Sequence, residues 1–101
     1  MSDLWISAGI ELVPGKDLEE TRSALRDLVS RTRGEEGCLQ FDIHESNETP
    51  GRFTLWEHWT EPRALDAHFE APHTRDYLAR DLTRVVYIER LTRLVDGDRT
   101  P

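Results

Sequence analysis

Hydrophobic and polar positions alternate one by one along four stretches of the chain and recur at helical spacing between them. From Leu4 to Val13, Leu4, Ile6, Ala8, Ile10 and Leu12 share one face, and Trp5, Ser7, Gly9, Glu11 and Val13 share the other, which is the period of a strand. Pro14-Gly15 stops it. Asp17, with Glu20 three residues on, is a capping-box start. Leu18, Thr21, Leu25, Leu28, Val29 and Thr32 then trace one helical stripe to about Arg33, which Gly34 terminates. Two further alternating runs, Cys38 to Glu45 and Arg52 to Trp59, flank Asn47, Pro50 and Gly51 and predict a β-hairpin. Aligning their apolar faces pairs Ile43 with Phe53 and Phe41 with Leu55, and sets Glu57 opposite Leu39. A carboxylate thereby falls on the face that should be buried.

A second irregular position follows. Between Glu61 and Glu70, Leu65, His68 and Phe69 stand at i, i+3 and i+4, so His68 points toward the sheet with its apolar neighbours. Buried ionisable groups are costly unless paired, and Glu57 and His68 are therefore expected to meet. Pro72 ends this helix, and His73 opens a second one with Tyr77 one turn along. The helices run to about Thr83, and Val85 to Val95 is the last strand.

The order βαββαβ predicts an α+β, ferredoxin-like plait: an antiparallel four-stranded sheet with helices on one face. Its free face would carry Trp5, Val13, Trp56, Tyr87, Leu91 and Val95. A monomer would leave too much of that surface in water, so a second copy, sheet to sheet about a two-fold axis, is expected to cover it.

Composition narrows the reading. The chain of 101 residues predicts one domain over 1–96, with a disordered tail at 97–101. One cysteine, Cys38, excludes an internal disulfide and suits a reducing, cytosolic setting. The net charge of −7, interspersed in sign, disfavours nucleic acid and anionic membranes as partners. No stretch reads as a signal peptide or a membrane span.

Three motifs, EEGCLQFDIHES, GRFTLWEHW and ALDAHFEAPH, together resemble the antibiotic biosynthesis monooxygenase family of small dimeric α+β barrels, over about Leu4 to Val95. The positions that match the family's habit are Glu35, Gly37, Arg52, Phe53, Glu57, Trp59, His68, Pro72 and His73. The family holds cofactor-free oxygenases of quinols and anthrones, heme-degrading monooxygenases, and an isomerase of a phosphorylated signal. The heme degraders' asparagine in the first strand is missing, and His68 and Leu78 stand where their Trp and His would be, so heme degradation is disfavoured.

The resemblance implies a monooxygenase that needs no metal or flavin and takes a small hydroxylated aromatic and dioxygen. Such chemistry needs a base for the hydroxyl proton, a dry apolar pocket and a proton donor. His68 is the candidate base, Glu57 its orienting carboxylate, and His73 or Tyr77 the donor. Leu39, Phe41, Phe53, Leu55, Trp59 and Phe69 are the candidate pocket lining. An isomerase would use the same pair, with Arg52 or Arg75 reaching an anionic substrate. A binding module would use the Glu–His pair only to fasten a helix. A metal site is not expected: His68 and His73 are five residues apart across a proline, and no three-ligand set converges from spacing alone.

Overall fold

In the computed structural model, which describes residues 3–95, the elements run β1 (Leu4–Leu12), α1 (Leu18–Thr32), β2 (Cys38–Glu45), β3 (Arg52–Trp59), α2 (Pro62–Glu70), α3 (Pro72–Ala79) and β4 (Thr83–Leu91). The four strands form one antiparallel sheet in the order β2-β3-β1-β4, the α+β ferredoxin-like plait that the alternation predicts. The expected tail at 97–101 lies outside the described residues. Among the described residues no helix is long and apolar enough to cross a membrane.

The inward stripe of β1 meets two groups of buried side chains. Ile10 and Phe53 pack with Ala24, Leu25 and Leu28 of α1 and with Tyr77 and Leu82. Leu4, Ile6 and Ala8 pack with Phe41, Trp59 and Leu65 of α2. Helix α1 starts as its sequence dictates, with the Asp17 carboxylate accepting from the Glu20 amide at 2.8 Å. The Glu20 side chain does not close the reciprocal half of the box, because Arg80 holds it at 2.8 Å.

Several expected details differ. The hairpin pairs Ile43 with Leu55 and Phe41 with Glu57, two residues away from the predicted register. Both alignments keep the same side chains inward, because a shift of two restores the face; the pattern fixes register only to within that period. The loop decides it: Ser46 N donates to Arg52 O at 2.8 Å, and Ser46 Oγ accepts from the Glu48 and Thr49 amides. A bulge between Cys38 and Gln40 then turns Leu39 out to 56% exposure, while Cys38 packs inward. Gly34 is not left-handed; that conformation falls at Gly37, φ +89°.

Strand β4 stops at Leu91, opposite Trp5, because β1 offers almost nothing further to pair with. Val13 and Val95 accordingly lie beyond the strand ends, and the apolar free face narrows to Trp5, Trp56, Tyr87 and Leu91. There Trp5 stacks on His58 at 3.6 Å, and the Arg93 guanidinium sits 4.9 Å over the Trp5 ring. A side chain at Gly9 would meet the Tyr87 ring at 2.5 Å, which explains the glycine in mid-strand.

Candidate active site

Three elements bring one carboxylate between two imidazoles. Glu35 lies in the turn from α1 to β2. Its amide bonds Thr32 O at 3.0 Å, and its carbonyl accepts from Cys38 N at 3.1 Å. Gly37 lets that turn press on α2: an added Cβ would stand 2.6 Å from Ala64 Cβ, and Gly37 O accepts from Thr60 N at 2.9 Å. The turn is therefore tied to the end of β3 and to α2, and it delivers the Glu35 side chain, 13% exposed, to the α2–α3 junction.

There His68 Nδ1 donates to Glu35 Oε2 at 2.8 Å, and His73 Nε2 donates to the same oxygen at 2.6 Å. Thr74 Oγ1 lies 3.3 Å from His68 Nδ1. The two rings converge because Ala71, extended at φ −66° and ψ 140°, breaks the helix before Pro72 and swings α3 back. A continuous helix would have sent positions five apart to different faces.

The carboxylate on His68 is thus Glu35 rather than Glu57. Glu57 points inward as predicted, but its Oε1 accepts from Trp59 Nε1 at 2.9 Å. Around the His68 ring stand Trp59, Phe69 and Phe41, with centroids at 5.1, 5.3 and 5.5 Å. Phe41 and Trp59 are fully buried against each other and form core, whereas Phe69 keeps 45% of its surface exposed. Leu39 faces solvent, Phe53 and Tyr77 belong to the α1 cluster, and Leu55 packs against both clusters. The Tyr77 hydroxyl is bonded to Thr83 Oγ1 at 2.5 Å.

His68 is buried, while His73 keeps a fifth of its side chain exposed. His73 and Tyr77 line a groove of about 460 Å³ between α1 and α3, with Ala24, Leu28 and Pro72 as apolar walls and Asp27, Arg31, Asp76 and Arg80 as its charged residues. Neither Arg52 nor Arg75, the basic residues expected to reach an anionic substrate, lines it.

Burial holds the His68 imidazole below its ordinary pKa, opposed by the Glu35 carboxylate, so at neutral pH the ring is neutral and keeps a lone pair on Nε2. Burial also pushes the Glu57 carboxyl up, opposed by the indole N–H and reinforced by the Glu35 charge. The two groups bend stability in opposite directions. A depressed His68 leaves the folded state binding fewer protons, so stability falls as pH drops below about 6.5. A raised Glu57 makes the folded state bind more, so its burial costs stability as pH rises from the unfolded carboxyl value through the folded one. Glu57→Gln keeps an acceptor for Trp59 and removes that charge. The variant is expected to melt several degrees above the parent at pH 7, with the gain disappearing near pH 4. Equal melting temperatures at both pH values would contradict the assignment of a buried, charged Glu57.

The sequence did not single out Glu35 for chemistry, since a turn carries no periodicity; its Glu-x-Gly setting was the available signal. The structure also overturns the expectation that no three-ligand set converges. Glu35, His68 and His73 each offer a donor atom, all within 4.8 Å of one another.

Residues 6–80 match the family model described as antibiotic biosynthesis monooxygenase. YjcS of Bacillus subtilis (strain 168), named as uncharacterized, is 31% identical over 83% of this chain and 80% of its own length. Rv0793 of Mycobacterium tuberculosis, named as a candidate monooxygenase, is 38% identical over 74% of this chain and 80% of its own. The crystal structure of PA3566 from Pseudomonas aeruginosa superposes with a TM-score of 0.83 at 32% identity, covering 94% and 97% of the two chains.

Proposed function

The chain belongs to the antibiotic biosynthesis monooxygenase family, and on that premise we propose that it oxidises a small hydroxylated aromatic or quinol with dioxygen, without metal or flavin. The observation that carries this reading is the single Glu35 oxygen shared by two imidazoles, one buried among aromatic rings and one lining a groove.

In this reading the substrate lies in the α1–α3 groove. With its Nε2–H committed to Glu35, His73 presents Nδ1 as the base that takes the hydroxyl proton. Glu35 stabilises the resulting imidazolium, and His68, donating from behind, fixes the carboxylate so that it does not reorganise during the step. The aryloxide gives up electrons to dioxygen far more readily than the neutral phenol, and a peroxide forms at a ring carbon. His73 returns its proton as the O–O bond breaks. One oxygen atom stays in the product, and the other leaves as water with two hydrogens from the substrate. Tyr77, on the same groove, is a second donor.

A sheet-to-sheet homodimer belongs to the same proposal. Its support is the band of Trp5, Trp56, Tyr87 and Leu91 across the free face, with Trp56 and Tyr87 still 37% and 41% exposed. A sedimentation mass of a single chain would remove it.

The test is oxygen uptake with a panel of quinols and anthrones on chelator-treated protein. The expected result is oxygen-dependent turnover that stops in anaerobic buffer. Turnover that continues without oxygen, with solvent deuterium entering the substrate, would assign the same residues to isomerisation instead.

A further inference from the structure

We infer that Glu35, His68 and His73 form a binding site for one first-row divalent cation of the zinc class. The donors are Glu35 Oε2, His68 Nδ1 and His73 Nε2, all within 4.8 Å of one another. Two imidazoles and one carboxylate are a borderline donor set that suits Zn²⁺ and Co²⁺ better than Ca²⁺ or Mg²⁺.

The present spacings, 2.8 and 2.6 Å from the carboxylate oxygen to the two nitrogens, are those of hydrogen bonds. Zinc–ligand distances of about 2.0–2.2 Å in a tetrahedral arrangement require donors roughly 3.3 Å apart. The carboxylate must therefore draw back by about half an ångström, and the two nitrogens must close on each other. His73, on the first turn of α3 and a fifth exposed, has the freedom for this; His68 is fixed by Trp59, Phe41 and Phe69. Coordination takes the lone pairs of Nδ1 on His68 and Nε2 on His73, so each neutral ring carries its proton on the other nitrogen. Thr74 Oγ1, 3.3 Å from His68 Nδ1, gives up that contact. Of the three ligands His73 lines the α1–α3 groove, so the cation and a fourth ligand from solvent would enter past that ring.

This site uses the same side chains as the proton relay but does not depend on the oxygenase reading. If that reading holds, a cation on Nε2 leaves the His73 proton on Nδ1, where it blocks the base, and Zn²⁺ inhibits oxygen uptake reversibly by chelator.

The experiment is calorimetric titration of chelator-treated protein with Zn²⁺, with Co²⁺ absorption as a second readout of ligand geometry. The expected result is one equivalent per chain, weakened more than about 100-fold in both His73→Gln and Glu35→Gln and unchanged in His44→Gln, whose ring lies outside the cluster. Circular dichroism confirms that each variant is folded, and two independent variants guard against the loss of one. No stoichiometric binding by the parent, or binding that survives both substitutions, overturns the inference. Because calorimetry needs no quinol, a metal site without oxygenase activity and activity without a metal site are separate outcomes.

Discussion

Glu35→Gln is expected to lower kcat/KM for quinol oxidation by about 10²- to 10⁴-fold, the range that positioned acid–base groups contribute. The amide has nearly the same shape, so the turn held by Gly37 stays in place and its single oxygen still accepts from both imidazoles. It carries no charge, however, so the imidazolium that His73 becomes loses the carboxylate that stabilises it. The loss belongs in kcat, with KM little changed, because the groove walls are untouched. Melting temperature should move by no more than a few degrees. Glu35→Asp, shorter by one methylene, should recover part of the rate because it keeps the charge while reaching both rings poorly. An unchanged kcat/KM in Glu35→Gln would mean that the carboxylate only fastens α2 and α3 to the sheet.

The second large effect is structural. Trp59→Ala removes a side chain with no exposed surface, packed on Phe41 and His68, and strips Glu57 of its indole donor. Aromatic-to-alanine changes in cores cost about 3–5 kcal/mol, against a total of about 5–15 kcal/mol for a domain of ordinary stability. At roughly 4–8 °C per kcal/mol, the melting temperature should fall by more than about 12 °C. Trp59→Phe separates the two terms, since it fills most of the volume but cannot donate. In that background Glu57→Gln should stabilise more than it does in the parent, because the lost N–H was holding the carboxyl's ionised form. Equal gains in the two backgrounds would show that the indole bond contributes nothing.

What the sequence made legible, and what it hid, follow from the range of each signal. The period-two runs, the Asp17 cap and the prolines are local, and they give the order of the elements and the inward faces of β1, α1 and β3, with an inward His68 and an inward Glu57; β4 has no such face, since Val85, Val86 and Ile88 stay exposed. Partners depend on distant geometry. The hairpin pattern repeats every two residues, so Glu57 could be set opposite Leu39 as easily as opposite Phe41; six loop residues chose between them. The bulge at Leu39 exposed a residue that alternation had placed in the core. Glu35 lies in a turn whose carboxylate finds its rings only after Gly37 has seated that turn on Ala64. His73 looked misdirected because five residues span no helical face, yet the break at Ala71 and Pro72 is what aims it.

Glu35 holds the buried ring through His68 Nδ1–H, and nitrogen-15 NMR of the histidine side chains measures that bond directly. The predicted spectrum shows His68 protonated on Nδ1 and still neutral at pH values where an unpartnered imidazole, pKa about 6.5, is half charged. A His68 ring that titrates at that ordinary value, or carries its proton on Nε2 with Nδ1 bare, would contradict it.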